Sequence, residues 1–301
     1  MKQTPTIAPT SPESESKKQQ LLIKNIRNAQ KIIFKEMKNL GLDLGYNLTP
    51  AILNLKPIGG TIVARYQAVS EEDSVTIDPK NLARLKEGIE TRHDLSAKEK
   101  QTYTNAIKYN VLVHELLHKA SHHSVDLETK RIKLLQSEWT KNSQRHQNSN
   151  LTFEDKIHDE LEMVRVLEGV TELLANILTY SHYQSKVSRP ENLLVYLSGS
   201  YRHEKFLLIQ TLEVIHKNYV TEAHAYVSKQ DILMGLVEYY LNSNQTPEVF
   251  TQLGIENVAK YLFDTYEYQD FEAEETAVQE AELIRKFITE ITTAGAKTEA
   301  Q

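Results

Sequence analysis

The chain has 301 residues, of which 40% are hydrophobic and 25% charged, the balance of an ordinary globular protein. It contains no cysteine, which excludes thiol nucleophiles, thiolate metal sites and disulfides. With 35 basic and 41 acidic residues the net charge is −6, which disfavours a protein that grips phosphate backbones, so no nucleic-acid partner is expected.

The two ends of the chain have the composition of tails. Residues 1–18 contain three prolines among Ser, Thr, Glu and Lys and no apolar stretch, which predicts a disordered tail, and residues 292–301 are predicted to fray. No apolar segment has the pattern of a signal peptide, and none approaches the length of a membrane span. A cytoplasmic protein is expected, although export without a classical signal stays open.

The first predicted elements are a helix and a β-hairpin. Apolar residues recur at helical spacing from Leu22 to Leu40, and Gly41 is a plausible stop. Residues Thr61–Gln67 and Ser74–Asp78 are rich in β-branched residues and flank a turn, which predicts two strands. Everything later has a helical pattern. The predicted class is therefore mainly α with a small N-terminal β-sheet (α+β).

A long helix is predicted from Ala97 to about His122, with Ser96 and Glu99 as its capping box. Further helices are predicted from Thr152 onwards and at four later segments. Those segments are Phe206–His216, Asp231–Leu241, Glu256–Phe263 and Glu272–Ile288.

The long helix carries a His-Glu-x-x-His pattern. His114 and His118 are four residues apart and therefore project from one helix face, where two imidazoles can bind one zinc ion. Glu115, one step round the helix, would face the open position of the metal. Without a further ligand, the same two histidines could be merely surface residues.

A second helix supplies candidate carboxylates. Glu168 and Glu172 are four residues apart and share one face. Such a pair is most often a solvated helix face. Beside a metal, however, one carboxylate could ligate the ion and the other could fix the tautomer of a ligand histidine. Spacing alone does not assign the two roles.

Together, these motifs resemble the gluzincin zinc metallopeptidases, the class of thermolysin and the membrane alanyl aminopeptidases. The segment Leu167-Glu168-Gly169-Val170-Thr171-Glu172 is similar to their third-ligand segments and to a Glu-Gly-x-Thr-Glu segment of uncharacterised bacterial metallopeptidase-like proteins. The resemblance implies a zincin-like two-lobed fold and one zinc ion per chain. It implies His114, His118 and Glu168 as zinc ligands, Glu172 behind His114, and Glu115 as general base.

The spacing of the ligands differs from that of thermolysin-like enzymes. Glu168 follows His118 by 50 residues, which residues 124–151 explain as an insertion loop ending in a polar run. A metzincin would need a histidine where Ser124 stands. His122 and His123 are expected to be polar residues of the helix end rather than ligands.

Two further features are candidates for handling substrate. Tyr201, with His203 as the alternative, could donate to the developing oxyanion. The strand Ser74–Asp78 could pair as an edge strand with an extended peptide.

The predicted function is zinc-dependent peptide-bond hydrolysis, most simply by an endopeptidase acting on a protein or peptide substrate. The alternatives are a non-catalytic helical interaction protein and a DNA-associated protease. Oligomeric state is not predicted. The predicted organisation is a catalytic domain over residues 19–291, comprising an N-terminal lobe (19–123), the insertion loop (124–151) and a C-terminal lobe with the glutamate helix (152–291).

Overall fold

The fold is taken from a computed structural model, which describes residues 20, 24–25, 27–36, 52–60, 62–67, 74–121, 153–219, 227–241 and 274–298. Residues 27–36 form helix α1, inside the helix predicted from Leu22. The described part of the chain is mainly helical with one small sheet, consistent with the predicted α+β class.

The sheet has three strands in the order β1-β3-β2. β2 (Ala64–Gln67) pairs antiparallel with β3 (Ser74–Ile77), which confirms the predicted hairpin. β1 (Ile52–Leu55), which the sequence did not reveal, pairs parallel with β3 on its other side. The prediction that the Ser74–Asp78 strand is an edge strand is therefore wrong: it is central, because β1 and β2 cover both of its edges.

Asp78 fixes the passage from the sheet into helix α2 (Pro79–Glu90). Its Oδ1 accepts the backbone N–H groups of Lys80 and Asn81, and its Oδ2 accepts that of Ile58 at 2.9 Å. These three N–H groups lower the pKa of Asp78, the one from Ile58 most strongly. An aspartate cap followed by proline at the first helical position is a recognisable helix start, so α2 was readable from the sequence but not predicted.

The remaining helices follow in chain order. They are α3 (Ala97–Ser121), α4 (Phe153–Tyr183), α5 (Pro190–Leu197), α6 (Arg202–Tyr219), α7 (Lys229–Leu241) and α8 (Glu274–Thr298), with a 3₁₀ turn at Gln184–Lys186 after α4. α8 extends ten residues beyond its predicted end at Ile288, so 292–298, predicted to fray, are helical.

The core lies where α3, α4, α6 and α8 pack together, and the sheet packs on α3 through β2. Apolar side chains of α3 and α4 near the two motifs are buried in it: Val113, Leu116, Leu117, Val170, Leu174 and Ile177. This packing holds α3 against α4, which is what brings the two predicted ligand motifs together.

Several predictions fall outside the described residues. These are the N-terminal tail, the insertion loop, His122 and His123, and the helix Glu256–Phe263.

Candidate metal centre

Helix α3 positions the two histidines. Its start is the predicted capping box: the Ser96 N–H donates to Glu99 Oε2 at 2.8 Å, and the Glu99 N–H donates to Ser96 Oγ at 3.3 Å. Val113, Leu116 and Leu117 of this helix are buried in the core. His114 and His118 face Glu168 on α4. His114 is buried and His118 is half-buried.

Three potential ligand atoms converge between the helices. Nε2 of His114 lies 3.0 Å from Nε2 of His118, and these atoms lie 3.2 and 3.3 Å from Oε2 of Glu168 on α4. The arrangement brings together the three ligands that the resemblance implied, across a sequence gap of 50 residues.

The donor set fits a divalent metal ion. Tetrahedral zinc with bonds of about 2.0–2.2 Å places its ligand atoms about 3.3–3.6 Å apart, slightly wider than the separations of 3.0–3.3 Å found here. Oε2 of Glu168 is buried and makes no hydrogen bond of acceptable geometry within the described residues, although both Nε2 atoms are within 3.3 Å. This buried oxygen is therefore available to a metal ion. His114, His118 and Glu168 are close enough to hold a metal ion.

Glu115 lies beside this cluster. Its side chain is buried, and its carboxylate accepts the backbone N–H of Tyr66 in strand β2. Burial raises the pKa of Glu115, opposed by the two neighbouring histidines. A carboxylate with a raised pKa next to a metal position is suited to accept and return a proton.

Glu172 lies behind His114, on the side away from the metal position. Its Oε2 is 2.7 Å from Nδ1 of His114, and its Oε1 accepts the side-chain amides of Asn110 at 3.0 Å and Asn176 at 2.8 Å. A carboxylate on Nδ1 favours the tautomer that leaves the Nε2 lone pair for a metal.

The electrostatics of the cluster favour a cation. Burial alone would lower the pKa of His114, but the carboxylates of Glu168 and Glu172 outweigh it and raise the pKa above that of an ordinary histidine. In turn, the two histidines lower the pKa of Glu168 despite its burial. Three carboxylates surround two imidazoles, so the cluster stabilises a positive charge at its centre. A proton or a metal ion can supply that charge.

Tyr201 approaches the cluster from the turn before α6. Its ring stacks on that of His114, with centroids 5.4 Å apart and planes 8° apart. Its backbone has a φ of +44°, in the left-handed region that non-glycine residues rarely adopt. Partial burial and the carboxylates of Glu168, Glu172 and Glu115 raise the pKa of Tyr201, so its hydroxyl remains a donor.

His203, the alternative to Tyr201, is engaged elsewhere. Its Nδ1 lies 2.9 Å from Oε1 of Glu280 on α8, and Arg202 Nε donates to the other oxygen of the same carboxylate at 2.8 Å. The buried Glu280 thereby anchors the start of α6, directly after the strained Tyr201.

Sequence reasoning missed the polar residues around Glu172: Asn110, Asn176, Thr179 and Lys205. A signal existed for two of them, because Asn110 precedes His114 by four residues and Asn176 follows Glu172 by four. Each amide thus continues the polar face on which its helix carries the motif. Lys205 has no comparable signal, since a lysine in a helix is normally a surface residue.

Within the described part of the chain, no helix is long and apolar enough to span a membrane. Comparison of the chain with protein families, with curated proteins and with solved structures yields no match, so the functional interpretation depends on the geometry of this site.

Proposed function

We propose that the protein is a zinc-dependent peptidase of the gluzincin type, with the two-lobed zincin-like arrangement. The observation that carries the proposal is the convergence of His114 Nε2, His118 Nε2 and Glu168 Oε2 within 3.0–3.3 Å of one another, with Glu115 alongside. Two neutral imidazoles and one carboxylate with an open fourth position are the donor set of catalytic zinc sites.

The residues of the site have separate roles in this proposal. A bound zinc ion supplies the Lewis-acid chemistry that activates water and polarises a peptide carbonyl. Glu115 accepts a proton from the attacking water and returns it to the leaving amine. Tyr201 donates its hydroxyl to the developing oxyanion, and Glu172 keeps the Nδ1 proton of His114 in place.

Strand β2 is the proposed docking edge for an extended peptide, in place of β3. Within the described residues β2 pairs only with β3, so its outer edge has no strand partner. The N–H of Tyr66 on β2 reaches Glu115, which places this edge directly beside the proposed general base. Main-chain pairing there would hold a substrate of protein or peptide class next to the metal position.

Metal content tests the proposal first. Protein purified without added zinc is expected to carry about one zinc per chain, and His114→Ala or His118→Ala is expected to lose it. His182→Ala is the matched control, because His182 lies on α4 and stacks on Tyr109 outside the cluster. Wild-type protein that neither carries nor binds zinc would overturn the metal site and favour a non-catalytic interaction protein.

Catalysis is tested with Glu115→Gln. This variant is expected to retain zinc and the fold but to lose nearly all cleavage of a peptide mixture, because an amide cannot shuttle the proton. Zinc-loaded wild-type protein that cleaves no member of the mixture would contradict the peptidase proposal. Salt-sensitive retention on DNA would instead favour a DNA-associated protease.

A further inference from the structure

A buried lysine lies behind the candidate metal centre. Lys205 on α6 has no exposed surface, and its Nζ donates to Asn176 Oδ1 at 2.6 Å and to the Leu197 backbone carbonyl at 2.8 Å. Both acceptors are neutral, and among the described residues no carboxylate lies within ion-pair distance of this ammonium. Lysine is almost never fully buried without such a partner. Its position therefore needs an explanation.

The ammonium dictates how the Asn176 side chain is oriented. An ammonium has three donors and no acceptor, so only the carbonyl oxygen of the amide can face it. With Oδ1 turned to Lys205, the Asn176 Nδ2 group is directed at Glu172 and donates to Oε1 at 2.8 Å.

A second chain of hydrogen bonds reaches the same carboxylate oxygen. Asn110 Oδ1 accepts Thr179 Oγ1 at 3.0 Å and also Asn176 Nδ2 at 3.1 Å, so the Asn110 Nδ2 group faces Glu172 Oε1 at 3.0 Å. Oε1 of Glu172 thus receives two amide donors, and Oε2 is left to His114 Nδ1 at 2.7 Å. All five side chains on these two paths are buried, so water cannot substitute for a lost donor without entering the core.

From this directed network we propose that Lys205 is a positioning residue of the metal centre. Through Asn176 it holds Glu172 in the orientation that keeps the Nδ1–H tautomer of His114 and leaves Nε2 free for a metal. The inference rests on the proposed function, since it assigns Lys205 a role towards the same metal site.

A purely structural role for Lys205 predicts a different outcome. If the lysine only ties α6 to α4 and to the end of α5, its removal lowers stability and leaves metal affinity unchanged. Lys205→Met removes the cost of burying an ammonium but also leaves Asn176 Oδ1 and the Leu197 carbonyl without this donor, so the stability of the metal-free form can change under either role. The positioning role is distinguished by zinc affinity, which it predicts to fall only while Glu172 is present.

The experiment is a double-mutant cycle on zinc affinity, with Lys205→Met, Glu172→Gln and the double variant. Zinc alone is the probe, titrated into the metal-free chain against a chelator of known affinity, and thermal unfolding of each metal-free variant is measured in parallel. Thr211→Val is the matched control. It removes a buried polar group from the same helix, where Thr211 Oγ1 donates to the helix backbone at the Leu207 carbonyl.

Lys205→Met is expected to weaken zinc binding about 10-fold, and Glu172→Gln about 10- to 100-fold. The double variant is expected to lie within about twofold of Glu172→Gln, because Lys205 acts through Glu172. Thr211→Val should bind zinc as wild type does.

Should Lys205→Met fail to fold, Lys205→Gln replaces it in the cycle. Its amide can donate but cannot enforce the direction of Asn176, so a loss of about threefold that vanishes in the Glu172→Gln background is expected.

Three results would overturn the inference. The first is an unchanged zinc affinity in the Lys205 variant. The second is a loss in the double variant equal to the product of the two single losses. Either result would be compatible with the metal site but would show that Lys205 does not position it. Wild-type protein that binds no zinc would overturn the proposed function and this inference together.

Discussion

His114 is constrained from three directions, and each constraint acts on a different part of its ring. Nε2 faces His118 and Glu168, Nδ1 faces Glu172, and the ring plane stacks on Tyr201. The neutral form of a histidine held in this way has one tautomer and one ring orientation available to it, which lowers the reorganisation needed to bind a metal.

The roles of Glu168 and Glu172 can be separated by zinc affinity. Glu168→Ala removes a proposed ligand and is expected to abolish tight zinc binding. Glu172→Ala removes only the acceptor behind His114 and is expected to weaken binding about 10- to 100-fold, leaving a site that refills at high zinc. The measurement is a zinc titration of both metal-free variants against a chelator. If Glu172→Ala is the variant that cannot be refilled, the two roles are reversed.

Tyr201→Phe tests the proposed oxyanion donor. The phenyl ring can still stack on His114, but it lacks the hydroxyl, so kcat is expected to fall about 100-fold with zinc content unchanged. Tyr109→Phe is the control, because the buried Tyr109 hydroxyl has no hydrogen-bond partner in the described part of the chain and lies away from the site. A Tyr201→Phe enzyme with wild-type kcat would remove Tyr201 from the mechanism.

At the scale of elements, α3 and α4 meet along two matched polar faces. Residues 110, 114 and 118 on α3 oppose residues 168, 172 and 176 on α4, each set at four-residue spacing. The surrounding contacts between the two helices are apolar and buried. A shift of either helix by one turn would leave buried carboxylates and amides unpaired, so the polar faces fix the register of the pair.

The capping box of α3 gives a prediction for this element. Ser96→Ala removes the N-cap acceptor and is expected to lower the free energy of unfolding by about 1 kcal/mol. Zinc affinity should not change, because the cap lies about five turns from His114. Thr102→Ala is the control: its hydroxyl bonds back to Lys98 within the helix, and its loss should cost less than about 0.5 kcal/mol. Chemical unfolding measures both variants, and equal losses would contradict the cap assignment.

At the scale of the whole molecule, local patterns were readable and long-range partners were not. The sequence predicted features that depend on neighbours along the chain. These are the periodic helices, the Ser96–Glu99 capping box and the shared helix face of His114 and His118. β1 was missed because four residues, Ile-Leu-Asn-Leu, become a strand only by pairing with β3 across the intervening chain. The burial of Lys205 likewise depends on how α6 packs against α4, which no local pattern encodes.

Lys205 also makes the stability of the metal-free protein depend on pH. Burial lowers its pKa to about 8, opposed by the charges of Glu172 and Glu204, whereas in the unfolded chain the pKa is 10.5. Between these two values the unfolded state binds more protons than the folded state, so the contribution of Lys205 to the free energy of unfolding rises with pH. Below about pH 8 the cost of burying the ammonium is constant.

The measurement is urea unfolding of metal-free wild type and Lys205→Met from pH 7 to pH 10.5. Across this range the free energy of unfolding of wild type is expected to rise, relative to that of the variant, by an amount on the order of 3 kcal/mol. Taking the difference cancels the tyrosines and other groups that titrate in both proteins. Leu208→Met, a buried change on the same helix without a titratable group, should give a curve parallel to wild type. If Lys205→Met is also parallel to wild type, the lysine is not buried as an ammonium, and the direction it imposes on Asn176 loses its physical basis.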